Sequence, residues 1–243
     1  MTLSNPSPML SRTSNYFFLL VLIYFLLVTG LPVEAQEPTQ ENKPKQVTLL
    51  ELMKKNPWAE IKGFRSAKFG MDEKNVFRAI AKDFKLPKRK VKKKLNTQEK
   101  TTALEIIVPE LFATGGTAKV GYVFGYKSKK LMHINILWGK GAAENVNGQS
   151  VVDTANLLRI HFMKKRYKEK SLVANGKLSA NSTMVFRGRD QNDRMIVVLL
   201  NTGPVPEGGN TEESVNNVSL VLSYVESPDE PDIRKISIKD GEF

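Results

Sequence analysis

The chain contains no cysteine and only two histidines. The first absence removes disulfides, thiolate nucleophiles, thiolate metal ligands and the acylated cysteine of a bacterial lipoprotein. The second leaves little for a zinc centre. His133 sits in a strand-like run beside Ile134 and Ile136, His161 sits in a helix-like one, and no HxH or HxxxH spacing occurs. Both read as structural or surface residues. No GxSxG stretch is present either. "GYVFGYKS" (Gly121–Ser128) misses the phosphate-loop spacing, because Gly125 comes one residue early and Tyr126 separates it from Lys127. Glu105 and Glu110 are the nearest approach to a carboxylate pair. Yet Glu105 alternates with apolar neighbours and Glu110 follows Pro109, the pattern of solvated strand-edge residues. The residues support no reaction, metal or cofactor, and the expectation is a non-enzymatic protein.

A long hydrophobic run is missing too. The most apolar stretch, Tyr16–Val28, holds thirteen residues. As a helix it would rise roughly 20 Å, short of the roughly 30 Å hydrocarbon core of a bilayer. Arg12 is the only charge before it, Gly30 and Pro32 break it, and Val33-Glu34-Ala35 supplies small residues at both ends of a cleavage tripeptide. That order is the order of a secretory signal. Residues 1–35 are therefore expected to be a signal peptide cleaved near Ala35, leaving a periplasmic or secreted protein. The alternative is an inner-membrane anchor formed by an uncleaved Tyr16–Val28. An exported chain without disulfides must hold itself together by its core alone, which suits a bacterial envelope.

Charge is abundant and mostly of one sign, +12 over 243 residues. Ile61–Lys100 carries fourteen Lys/Arg against four Asp/Glu, and residues 201–243 reverse this with three against nine. Seven of the basic residues crowd into "KLPKRKVKKKL": Lys85, Lys88, Arg89, Lys90, Lys92, Lys93 and Lys94. In an intracellular protein this would suggest nucleic acid. The export signal argues against that partner and favours an anionic lipid or cell-wall polymer, with a solvated surface as the simplest account. The stretch reads as a cationic connector rather than a strand, since Val91 and Leu95 do not alternate cleanly.

Along the chain, residues 36–60 read as a flexible leader holding a short docking helix within Val47–Asn56, capped by Thr48 and ended by Pro57. Phe64, Ala67 and Phe69 suggest one short strand. Asp72 can cap a helix with Val76, Phe77, Ile80, Ala81 and Phe84 on one face. Strands are expected at Thr102–Val108, Ala118–Tyr126 and Leu131–Trp138, with a hairpin turn at Lys127–Lys130. After a Gly- and Asn-rich loop, Ser150 is the expected cap of a second helix that buries Val151, Ala155, Leu158 and Phe162. Arg159, Lys165 and Arg166 would sit near its negative pole. Strands at Thr183–Arg187, Met195–Leu200 and Val218–Val225 follow.

Helix and then about three antiparallel strands thus occurs twice. "VFGYKSKKLMHINIL" and "VFRGRDQNDRMIVVLL" look like corresponding hairpins. The expected class is α+β: two helix-plus-antiparallel-sheet units, at 61–141 and 142–226, with helices on one sheet face and a tail at 227–243.

"KFGMDEKNVFRAI" (Lys68–Ile80) resembles the strand–Gly-Met–helix opening of exported bacterial domains. Among these are the small-protein-A/OmlA outer-membrane lipoprotein group and proteins of the β-lactamase-inhibitor-protein-like fold. The matching positions are Phe69, Gly70, Met71 and Asp72, then Val76 and Ile80. The resemblance covers about a tenth of the chain and implies a helix-on-sheet module that binds other proteins or assists envelope assembly. It differs from the lipoproteins by lacking their lipidated cysteine. An envelope protein partner is the first expectation; the oligomeric state is left open.

Overall fold

The computed structural model describes residues 49–112, 115–203 and 217–235, and residues 47–243 form one compact unit. The expected signal, the apolar run Tyr16–Val28 and the Thr48 cap lie outside the described residues. Among the described residues no helix is long and apolar enough to cross a membrane.

The protein mixes α and β structure and is dominated by one large antiparallel sheet. A short helix α1 (Leu49–Lys54) precedes a minimal hairpin, β1 (Gly63–Phe64) and β2 (Ala67–Lys68). Phe64 and Ala67 therefore face each other across a turn and do not share the single strand expected from the sequence. Arg65 enters the left-handed region at φ 51°. Gly63 has no alternative residue, because at φ 131° a Cβ would lie 2.2 Å from the Ala67 carbonyl oxygen.

Helix α2 (Glu73–Phe84) begins as its sequence indicates. The Asp72 carboxylate accepts from the Asn75 amide at 2.8 Å. It ends at Lys85, left-handed at φ 55°, whose amide closes on the Ala81 carbonyl, and Pro87 prevents continuation. Val76, Ala79 and Ile80 are buried, whereas Ala81 is exposed. At about 100° per residue, position 81 rotates off the stripe that 76, 79 and 80 share, so Ala79 takes the place expected of Ala81.

The basic stretch is not all connector. Lys88–Lys90 makes a single 3-10 turn, and Lys92–Leu95 is a strand, β3, at one edge of the large sheet. Strands β4 (Thr102–Val108), β5 (Ala118–Phe124) and β6 (Leu131–Gly139) continue as a meander. Helix α3 (Gly148–Met163) follows, then a 3-10 turn at Glu169–Ser171. A second meander closes the chain: β7 (Val173–Ser179), β8 (Ser182–Arg189), β9 (Met195–Asn201) and β10 (Ser219–Val225). The spatial order is β3-β4-β5-β6-β10-β9-β8-β7, so the β6–β10 pair joins both meanders into a single eight-stranded sheet.

Several sequence expectations change. Each meander has four strands, the additional ones being the edge strands β3 and β7. The "VF" hairpins do not correspond: one joins the third and fourth strands of its meander (β5–β6), the other the second and third (β8–β9). The cap of α3 is Asn147, which accepts from the Ser150 amide at 3.1 Å, so the helix starts two residues before Ser150. Its buried stripe does contain Val151, Ala155, Leu158 and Phe162. Lys165 and Arg166 lie past its last residue, and Arg166 instead forms a bridge with Trp58 and lays its guanidinium 4.4 Å from that ring's centre.

The register divides the sheet cleanly. Cross-strand triplets Leu104–Tyr122–Ile134, Ile106–Val120–Ile136 and Trp138–Leu220–Leu200 point to one side. Of these all but Leu200 are buried. Phe162 of α3 packs on this side, with ring centroids 5.5 Å from Phe186 and 6.5 Å from Tyr224. Burial of the branched and aromatic side chains there supplies the main driving force for folding.

Candidate interaction face

Because strand side chains alternate, the partners of those core residues project to the opposite face. These are Ala103 and Glu105 on β4, Gly121 and Val123 on β5, and His133, Asn135 and Leu137 on β6. Val221 and Ser223 on β10, Val197 and Leu199 on β9 and Met184 on β8 complete the sweep. Every one of them is partly exposed. Ile107, at the end of β4, is exposed outright. One face of the sheet is thus a core and the other a broad, mostly apolar surface in contact with solvent.

A polar seam crosses its middle. The Ser223 hydroxyl donates to the Asn135 side-chain oxygen at 2.6 Å, between directly opposed residues. Gly121, opposite Asn135 on the other side, leaves a shallow depression, since a Cβ there would have only the Asn135 carbonyl oxygen within reach at 3.9 Å. The rim is cationic: Lys92 and Lys94 on β3, Lys119 on β5 and Arg187 on β8 share this face.

After β10 the chain turns along one end of the face. The Glu226 amide donates to Met132, the Tyr126 amide to the Asp232 carbonyl, and the Arg234 amide to Glu99. The Asp232 carboxylate also accepts from the Lys127 and Ser128 amides at 2.9 and 2.8 Å. Burial pushes that carboxyl up, but the Ser128 side chain, those amides and the Lys127 charge outweigh it and hold its pKa below the ordinary value. Between this strap and the sheet lies a cleft of about 610 Å³, with Glu105, Val123, His133 and Asn135 on its floor and Pro228 and Ile233 opposite.

His133 is the unusual group in the cleft. Its Nε2 is buried with no hydrogen-bond partner among the described residues. Burial lowers its pKa, against smaller raising effects from the Asn135 side chain and the Glu99 charge. Below the ordinary value of 6.5 the unfolded chain takes up a proton that the folded His133 resists. Its contribution to stability is therefore complete above that pH and shrinks as pH falls toward the lowered folded pKa. The thermal midpoint of the wild type should accordingly fall more between neutral and mildly acidic pH than that of His133→Gln. Parallel pH profiles for the two proteins would contradict this account.

The seven residues of the basic stretch do not form a single surface. Lys93 pairs with Glu73 of α2 at 2.5 Å, Lys94 with Glu105 at 2.7 Å, and Lys88 lies over the Phe77 ring. Lys85, Arg89, Lys90 and Lys92 are exposed with no acidic partner among the described residues. An edge strand of lysines also discourages edge-to-edge pairing with other sheets, which gives these charges a structural use.

The Phe69–Asp72 stretch is a hook rather than a site. The Gly70 amide donates to the Leu131 carbonyl, and the Leu131 amide returns to Met71, tying the start of α2 to the start of β6. Gly70 adopts φ 80° with nothing within 4 Å of a Cβ, so backbone conformation alone selects glycine. Of the two carboxylates considered as a pair, Glu105 is held by Lys94 and Glu110 is exposed beyond the end of β4.

Sequence reasoning missed the open face because its apolar residues alternate with core residues on the same strands, and nothing local tells which of two apolar faces stays uncovered. It also missed Asp190, which is 1% exposed. The Asp190 side chain accepts from the Ile61 amide through Oδ2, and from the Asn192 and Arg194 amides through Oδ1, at 2.9, 2.9 and 3.1 Å. The "RDQND" turn signals the local pair of bonds but not the bond to Ile61. No family model, curated protein or solved structure matches the chain.

Proposed function

We propose that the chain is an exported, non-enzymatic protein of the cell envelope that works as an interaction or assembly module, with its partner docking on the open face of the sheet. The observation that carries this reading is the two-sidedness of the sheet. A soluble domain rarely leaves a large contiguous apolar surface uncovered without a use for it. The partner is a protein whose apolar patch is bordered by acidic side chains, matching the Lys92, Lys119 and Arg187 rim.

Export rests on the order of Arg12, Tyr16–Val28 and Val33-Glu34-Ala35. The two halves read as a tandem repeat of one helix and one four-stranded meander, with both helices on the core face. The Lys93–Glu73 pair supports this for α2, because Lys93 lies opposite Leu104 and so faces the core side. The likeness of Lys68–Ile80 to the opening of β-lactamase-inhibitor-protein-like and small-protein-A/OmlA domains points the same way. The test compares what the wild type and Val197→Asp recover from envelope extract. A protein recovered reproducibly by the first and lost by the second supports the reading, and recovery that ignores the substitution overturns it.

A second reading has its own observation, the exposed Lys85, Arg89, Lys90 and Lys92, which have no acidic partner among the described residues. They would hold the protein peripherally on anionic membrane or cell-wall polymer. Each such charge contributes about 1 kcal/mol near an anionic surface. Cosedimentation with phosphatidylglycerol vesicles should then be strong at low salt and vanish at high salt. Binding indifferent to salt would remove the electrostatic mechanism.

A further inference from the structure

A second cleft opens on the other flank of the open face, with Met195 lining both clefts. It measures about 340 Å³ and is lined by Lys168, Lys170, Arg187 and Arg189, together with Ser171 and Asp193. From these side chains we infer a binding site for a phosphate group, separate from the Lys85–Lys94 stretch and set at the edge of the docking face, with whose rim it shares Arg187.

Two of the four cations already have acidic partners. Asp193 is taken by Lys168 at 2.5 Å. Arg189 makes a two-pronged pair with Asp229 at 2.6 and 2.7 Å. Glu169, the acid nearest in sequence, is bound by Lys54 at 3.1 Å. Four cations therefore meet two carboxylates, and the positive charge left over sits on Lys170 and Arg187. Neither has an acidic partner among the described residues.

The site is also held in shape. The Arg187 Nε donates to the Ser171 carbonyl at 3.1 Å, which orients the guanidinium and leaves its terminal nitrogens uncommitted. The Ser171 hydroxyl donates to the Lys168 carbonyl at 2.6 Å and accepts from the Arg189 amide at 2.9 Å. The 3-10 turn is thereby fastened to β8 at Arg187 and Arg189. A guanidinium fork beside a lysine point charge suits a tetrahedral oxyanion. A phosphate monoester carries about −1.5 to −2 near pH 7, matching the residual charge, whereas a single carboxylate would leave half of it uncompensated.

The experiment titrates the full-length chain with inorganic phosphate, following amide chemical shifts. Saturable shifts are expected at Ser171, Arg187 and Arg189. Lys170→Gln/Arg187→Gln should weaken binding about tenfold or more, since each lost charge-assisted bond contributes on the order of that factor. Lys85→Gln/Lys90→Gln should leave phosphate binding unchanged, which separates this site from the vesicle-binding reading. Should Arg187→Gln perturb folding, Lys170→Glu on an exposed side chain carries the same expectation. Glycerol 3-phosphate and vesicles containing phosphatidic acid then distinguish a soluble ligand from a lipid headgroup, the true source being the one whose binding the double variant abolishes. Shifts that do not saturate, affinity unaltered in the variants, or acetate binding as tightly as phosphate would each overturn the site.

Discussion

Asp190→Ala is expected to lower stability by about 4 kcal/mol, which for a domain of this size moves the thermal midpoint down by roughly 10 °C. The size of the effect follows from what the carboxylate holds. It accepts from three backbone amides, two within its own turn and one from Ile61, 129 residues away in sequence. Ile61 and Asp190 are both almost fully buried, so water cannot readily replace the lost acceptor. Alanine would leave the buried Ile61 amide unsatisfied, the costly half of the hydrogen-bond balance, and would take the shared acceptor from the turn amides of Asn192 and Arg194.

The substitution also loosens the N-terminal segment of the domain where Ile61 meets the Asp190 turn. The Ala59 amide still donates to the Arg166 carbonyl and the Arg166 amide to the Pro57 carbonyl, and Arg194 reaches the Ile61 carbonyl at 3.4 Å, so the loosening centres on Ile61. Asp190→Asn provides the finer test. Its side-chain oxygen can still serve Asn192 and Arg194, but its amide would confront the Ile61 amide, donor against donor. Hydrogen exchange at Ile61 should accelerate strongly while Asn192 and Arg194 stay protected. Equal protection of all three amides in the asparagine variant would show that the long-range bond does not hold this junction.

This same carboxylate marks the boundary of what the sequence made legible. Alternation of branched residues placed β4, β6, β9 and β10 within a residue or two, and Asp72 announced the start of α2, because these signals are local and their cause is burial. The edge strands escaped notice for a physical reason. Lys92–Leu95 has no face to bury, and β7 carries Asn175 in the left-handed region and a register shift near its end, so neither shows period two in hydropathy. Asn147 and Ser150 are both residue types that cap helices, and only the backbone decides between them. The open face and the phosphate cleft depend on which strands become neighbours. Met195, Arg187 and Lys170 meet only after β8 has paired with β9, and nothing local to any of them records that.

Val197→Asp is the substitution expected to remove partner binding, by about a hundredfold or more, an effect of the size produced at the centre of an interface. Val197 stands on β9 between Ser223 and Arg187, near the middle of the open face, and is half-buried rather than core. Its replacement should cost the fold about 1 kcal/mol, the span of strand propensity, plus a part of the desolvation cost of a half-buried carboxylate, so the thermal midpoint falls by only several degrees while binding is lost. The sign of the introduced charge carries the rest of the argument. If the partner is acidic around its apolar patch, aspartate adds repulsion to desolvation, whereas Val197→Lys adds desolvation but gains attraction. The lysine variant should then retain measurable binding that weakens as salt is raised, and the aspartate variant should not. Equal losses for the two charges would make the contact purely apolar and would sever the rim of Lys92, Lys119 and Arg187 from recognition. A stronger loss for lysine would reverse the partner's charge altogether.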